Sequence, residues 1–167
     1  FSHKSYDAHP IVRALFLLIG ASGFQGSCLK WSSDHRRHHS KIDSESDPYN
    51  INNGFWYAHM GWMFQKSSVN MPIQAPDLEK DWMVMFQDKY YLWISIVTGF
   101  VFPMIIGHLF GSALAGLAIA GGLRIALTQQ STFFVNSLCH TLGRQTYSRE
   151  ISARDSFIVA LLTHGEG

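Results

Sequence analysis

Charge is what this sequence has least of. Lysine, arginine, aspartate and glutamate make up 15% of 167 residues, against about 25% in an ordinary soluble chain, while hydrophobic residues reach 47%. Thirteen basic and twelve acidic residues leave a formal net charge of +1, which excludes a basic footprint for nucleic acid. Low charge with abundant apolar residues also excludes disorder. Two cysteines, Cys28 and Cys139, are too few for a disulfide framework, and their apolar flanks predict reduced thiols. There is no signal peptide, internal repeat or low-complexity segment, and no flavin, haem or iron–sulfur motif. Phe1 stands where an initiator methionine would, so the sequence reads as a fragment with residues missing upstream.

The scarce charges are also segregated. Tyr90 to Leu123 is a run of 34 residues with no Asp, Glu, Lys or Arg. One straight helix of that length would span about 51 Å, more than a hydrocarbon core of about 30 Å needs. Pro103, Gly107 and Gly111 fall in its middle and supply a break. The run therefore predicts a transmembrane helical hairpin, roughly 89–107 and 111–132, turning near His108. Lys80 and Lys89 precede it and Arg144, Arg149 and Arg154 follow, which puts both ends on the cytoplasmic side. A shorter uncharged stretch, Ala14 to Leu29, is marginal for spanning and predicts a helix at the interface or packed inside. Ser32 to Asn53 is polar, residues 67–81 read as loop, and Phe157 to Leu162 is too brief to cross a bilayer. The fold class is all-α, an integral membrane hairpin with a polar cytoplasmic cap.

Nine histidines stand out against this background. Three fall in five positions, His35, His38 and His39, and on a helix the i,i+3 and i,i+4 spacing aims at least two imidazoles at one point. Neutral imidazole ligates iron, zinc, copper or nickel, whereas three charged rings so close would repel. Asn136 and His140 form a second i,i+4 pair where the second apolar arm ends, a place where polar groups need a partner. His3 is a third candidate. His9, His59, His108 and His164 lack such company and read as structural.

Five segments in order resemble the membrane fatty acid desaturases of the Δ9 acyl-CoA (stearoyl-CoA) type. Phe1-Ser2-His3 resembles the end of the family's first histidine box, HxxxxH. KWSSDHRRHHSKIDSESDPY, residues 30–49, resembles the second box, and NGFWYAHMGWMF, residues 53–64, the segment after it. VNSLCH, residues 135–140, resembles the stretch carrying extra Asn and His ligands, and THGEG, residues 163–167, the lead-in to a third box. The resemblance implies one desaturase domain over 1–167, incomplete at both ends, with 89–132 as the last two of four spans and 11–30 a helix near the membrane. It implies a cytoplasmic di-iron centre with His3, His35, His38, His39 and His140 as ligands and Asn136 reaching iron through water. Three or four further ligands fall outside the chain, so the chain alone is expected not to assemble the full centre.

The implied reaction is O2-dependent insertion of a cis double bond into a long-chain acyl-CoA or acyl-lipid. Removing two hydrogens from adjacent unactivated methylenes is beyond side-chain acids and bases and falls to an oxygen-activating metal. The resemblance implies that electrons come from cytochrome b5 or ferredoxin. Trp31, Trp62, Phe133 and Phe134 are candidates to wall an acyl tunnel, or else ordinary core packing. Asp34 is assigned to the acyl carrier's head group or to orienting a ligand imidazole. Asp43, Glu45 and Asp47 either hydrogen-bond ligand imidazoles or form a solvated loop. Ser33 departs from the arginine of animal acyl-CoA enzymes, which keeps an acyl-lipid substrate open. Competing readings are a histidine-box hydroxylase or sterol-type desaturase, a non-catalytic metal-binding membrane protein, and a soluble zinc hydrolase. The setting is endoplasmic reticulum or bacterial inner membrane.

Overall fold

The computed structural model describes residues 1–65, 72–146 and 148–165. Those residues form helices α1 (Pro10–Ala21), α2 (Cys28–Ser40), α3 (Phe55–His59), α4 (Trp82–Lys89), α5 (Tyr91–Leu109), α6 (Arg124–Leu138) and α7 (Phe157–Leu162). There is no strand among them, only an isolated bridge between Arg144 and Asp155. The expected all-α class holds. The chain divides into two compact units, Phe1–Ser33 with Ile73–Gln129, and Asp34–Pro72 with Gln130–Gly167.

In the first unit, α1 starts on Pro10, whose missing N–H costs nothing at a helix start, while the His9 ring accepts from Ile11 N–H. Leu17, Leu29, Ala75, Leu78 and Val84 form a small buried core with Cys28 and Met83 against it. Polar bonds tie the helices around that core. Arg13 pairs with Asp81, Cys28 N–H donates to Gln87 Oε1 at 3.0 Å, and Gly26 N–H donates to Tyr91 Oη at 2.9 Å. The uncharged stretch at 14–29 is not one helix. Phe24 and Gly26 have φ of 56° and 99°, and that left-handed turn separates α1 from α2. Ser27 Oγ then accepts from Lys30 N–H and starts α2.

The charge-free run folds as a helical hairpin, with two corrections to the expected break. Pro103 lies inside α5, because the helix widens at Val97–Val101 and Phe102 N–H bonds the Val97 carbonyl five residues back. Gly107 is also helical. The chain turns at 110–112, with Gly111 at φ 99°, and not at His108. The returning arm begins at Ala113–Ala115, continues as a wide turn at Gly116–Leu123 and runs into α6. Arg124 donates to the Ser22 carbonyl at 2.9 Å, closing the end of α1. Among the described residues α5 alone is long and apolar enough to cross a membrane. Its outer side carries exposed Leu92, Trp93, Phe102 and Leu109.

The second unit holds the end of α2, the 41–50 loop, α3, the end of α6 and α7. Ala58, Phe133 and Val159 are buried within it. Of the 67–81 loop, residues 67–71 lie outside the described set, and Leu78–Lys80 forms one 3₁₀ turn. Glu166 and Gly167 of the THGEG segment also lie outside it. Cys28 and Cys139 are free thiols, as expected.

Candidate metal centre

The last turns of α2 bring its three histidine rings together in sequence, His35 on His39 and His39 on His38. His35 and His39, one turn apart, meet with their Nε2 atoms 3.2 Å apart. Two imidazoles at that separation can share one ion lying about 2.1 Å from each nitrogen. His38 lies beside them, its ring 5.7 Å from the His39 ring and 5.4 Å from the His140 ring. The expectation of at least two converging imidazoles is met by His35 and His39, and His38 also reaches a histidine a hundred residues away.

His38 is held by Asp47. The distance from Nδ1 to Asp47 Oδ1 is 2.8 Å, and the carboxylate is 3% exposed. Asp47 also accepts from Tyr49 N–H at 2.9 Å and from Asp43 N–H at 3.1 Å. A carboxylate only accepts, so His38 carries its proton on Nδ1 and keeps the Nε2 lone pair for a ligand role. Beside it Tyr49 packs on His38 and Trp62, with ring centroids 5.5 and 4.8 Å apart. Burial, reinforced by Asp34 and Asp47, pushes its phenol well above the ordinary range and keeps it protonated.

His140 is buried just beyond α6, with Nδ1 2.6 Å from Ser152 Oγ. Burial first, and the neighbouring His38 second, hold its pKa below the usual 6.5. The ring is therefore neutral near pH 7, the form that binds metals. The unfolded chain takes up this proton more readily, so the site's stability is present above about pH 6.5 and is lost as pH falls from there through the folded pKa. A urea midpoint lower at pH 5.5 than at pH 7.5, with a flatter profile in His140→Gln, is the expected result. Asn136 is buried one turn earlier, and among the described residues nothing hydrogen-bonds its side chain.

The other sequence candidates are distributed as follows. Asp34 is buried and pairs with Arg37 at 3.3 Å, and Arg37 also donates to the Pro72 carbonyl. Arg37→Ala removes both the buried pair with Asp34 and the bond to the Pro72 carbonyl, so it should cost about 3 kcal/mol, read as a lowered unfolding midpoint. Phe133 is buried against His59, with ring centroids 5.6 Å apart. His3 and Trp31 belong to the first unit, where both line a cavity of about 380 Å³ with Phe16, Leu17, Cys28 and Gln87. Asp43 and Asp47 hydrogen-bond within the histidine cluster and are not merely a solvated loop.

No family model matches this chain. Curated relatives align with all of it. Acyl-CoA desaturase 1 of Saccharomyces cerevisiae is 38% identical over 170 residues, which cover 33% of that protein. A probable acyl-CoA desaturase of Schizosaccharomyces pombe is 41% identical over 170 residues, or 36% of its length. Human stearoyl-CoA desaturase is 31% identical over 177 residues, or 48% of its length. Over its whole length the chain is similar to a part of these acyl-CoA desaturases. It spans about a third to a half of the length of these relatives.

The donors of this cluster are compatible with iron, as imidazole is with zinc, copper or nickel. Four imidazoles come from two segments, two of them have Nδ1 engaged by an oxygen, and the one nearby thiol, Cys139, is not needed. Ser152 was not singled out by the sequence, whereas His59, expected to be structural, is so. His59 is buried with Nδ1 3.0 Å from Ser137 Oγ, between Phe133 and Phe134. Its apolar neighbours in FWYAHMGW were the available signal. Ser152 gives none.

Proposed function

We propose that the complete protein is an O2-dependent fatty acyl desaturase that inserts a cis Δ9 double bond into a long-chain acyl-CoA. The observation that carries this reading is the pairing of His38 with His140, rings 5.4 Å apart and each with Nδ1 bound to an oxygen, beside the His35–His39 pair. His3, His35, His38, His39 and His140 are assigned as ligands of a di-iron centre, with Asn136 reaching it through water. Bound iron would supply the oxygen activation that hydrogen removal from a methylene requires.

The chain's own residues position and exclude. Asp47 fixes the His38 ring, and burial keeps His140 neutral. Phe133 and Trp31 are assigned to the acyl chain's surroundings, Trp31 through the cavity of about 380 Å³ and its apolar lining. Asp34 orients its neighbourhood through Arg37. We read 1–167 as one desaturase domain, with 89–132 as a transmembrane hairpin anchored in lipid and the histidines on the cytoplasmic side of an endoplasmic reticulum or bacterial inner membrane. Electrons would come from cytochrome b5 or ferredoxin.

An acyl-lipid carrier is the second reading, favoured by Ser33. That side chain is buried and accepts from Gln74 N–H at 2.8 Å, so it offers no cation to a carrier. The test is expression of the complete reading frame in a host lacking its own Δ9 desaturase, with gas chromatography of fatty acid methyl esters. New monounsaturated acids are expected, and their absence from a stably expressed protein rejects the reading. Membranes given labelled stearoyl-CoA or stearoyl-phosphatidylcholine then separate the two carriers.

A further inference from the structure

The loop after α2 presents two carboxylates to two different imidazoles, and only one touches its histidine. Asp47 binds His38 directly. Asp43, four residues earlier, reaches His140 through Ser152, which lies 109 positions further along the chain. Asp43 Oδ2 accepts from Ser152 N–H at 2.6 Å, and Asp43 Oδ1 accepts from the Ser152 hydroxyl at 2.6 Å. Asp43 itself sits at φ 61°, a left-handed conformation uncommon outside glycine. It is held there by its N–H on Asp47 and by Asn52 Nδ2 donating to its carbonyl at 3.0 Å.

Proton counting fixes the rest. A serine hydroxyl has one hydrogen, and a carboxylate can only accept. With that hydrogen on Asp43, Ser152 Oγ can offer only a lone pair to His140 Nδ1, 2.6 Å away. The proton in that bond must therefore belong to the imidazole.

We propose that Asp43, acting through Ser152, is the positioning residue that fixes His140 as its Nδ1–H tautomer and presents Nε2 as the ligand atom. This deepens the desaturase reading and rests on it. Asp43 and Asp47 then perform one task by two routes, each engaging Nδ1 of one member of the His38–His140 pair. The direct bond serves the histidine on the adjoining helix, and the serine extends the reach to the one beyond α6.

The experiment uses the complete protein as wild type, Ser152→Ala and Ser152→Thr, with iron affinity read by chelator competition and folding by circular dichroism. Loss of an orienting partner typically costs about 10–100-fold in metal affinity. That loss is expected for Ser152→Ala, which keeps the backbone bond to Asp43, and Ser152→Thr should restore binding because it keeps the hydroxyl. Nitrogen-15 spectra of labelled histidines in the iron-depleted protein should place the His140 proton on Nδ1 in the wild type and divide it between the Nδ1–H and Nε2–H tautomers in Ser152→Ala. A folded Ser152→Ala with wild-type iron affinity, or a wild-type His140 protonated on Nε2, overturns the proposal. Wild-type protein that binds no iron rejects the desaturase reading instead, and the tautomer spectra then decide the relay alone.

Discussion

Alanine at His35, His39 or His140 of the complete protein is expected to reduce desaturation to background and to lower bound iron. Each substitution deletes a nitrogen donor. At α2 it also breaks the His35–His39 pair, whose 3.2 Å approach depends on the two being one helical turn apart. At His140 the buried ring is replaced by a void beside His38. The effect should be larger than that of Asp47→Asn, which preserves all the nitrogen donors and loosens only the orientation of His38. That change should weaken iron binding by about 10–100-fold and leave some turnover. Circular dichroism separates ligand loss from misfolding. Full activity in any of the three alanine variants would remove that residue from the ligand set.

The histidine spacing carried part of this arrangement and could not carry the rest. HRRHH on a helix dictates that positions 35 and 39 share a face, and they do. Position 38, three residues on, stays beside that face with its ring 5.7 Å from His39, and its further partners depend on the 41–50 loop, whose path is set by hydrogen bonds to Asp47 rather than by a local pattern. Ser152 was invisible because its partners are 12 and 109 residues distant and serine has no period of its own. His59 stands alone in sequence, which favoured the structural reading, and only the fold brings Ser137 to its ring. The hairpin was legible from the absence of charge over Tyr90 to Leu123. Its turn falls at Gly111, one of the three expected breaks and just beyond His108, while Pro103 and Gly107 are not breaks. A locally widened helix accommodates Pro103, and Gly107 is needed where two backbones cross.

That crossing gives the second large effect. A Cβ at Gly116 would lie 2.3 Å from the Pro103 carbonyl oxygen and 2.8 Å from Gly107 Cα. A Cβ at Gly107 would lie 2.5 Å from Gly116 Cα. The obstacles are backbone atoms on both sides, so no rotamer change relieves the clash and the arms must separate. Small residues let apolar helices approach closely, and that contact supplies much of the association where no hydrophobic gain remains. Gly116→Ala should therefore cost about 1–3 kcal/mol from a single methyl, and Gly116→Leu more. Gly122→Ala is the matched control. Its nearest atom would be the Leu117 carbonyl oxygen at 3.9 Å, ordinary contact, and alanine is the better helix former by about 1 kcal/mol. In thermal unfolding of the detergent-solubilised protein, Gly116→Ala should fall about 5 °C below wild type while Gly122→Ala stays level or rises. Equal midpoints for the two alanine variants would mean that the arms do not pack through Gly107 and Gly116, and the hairpin would need another contact to hold it.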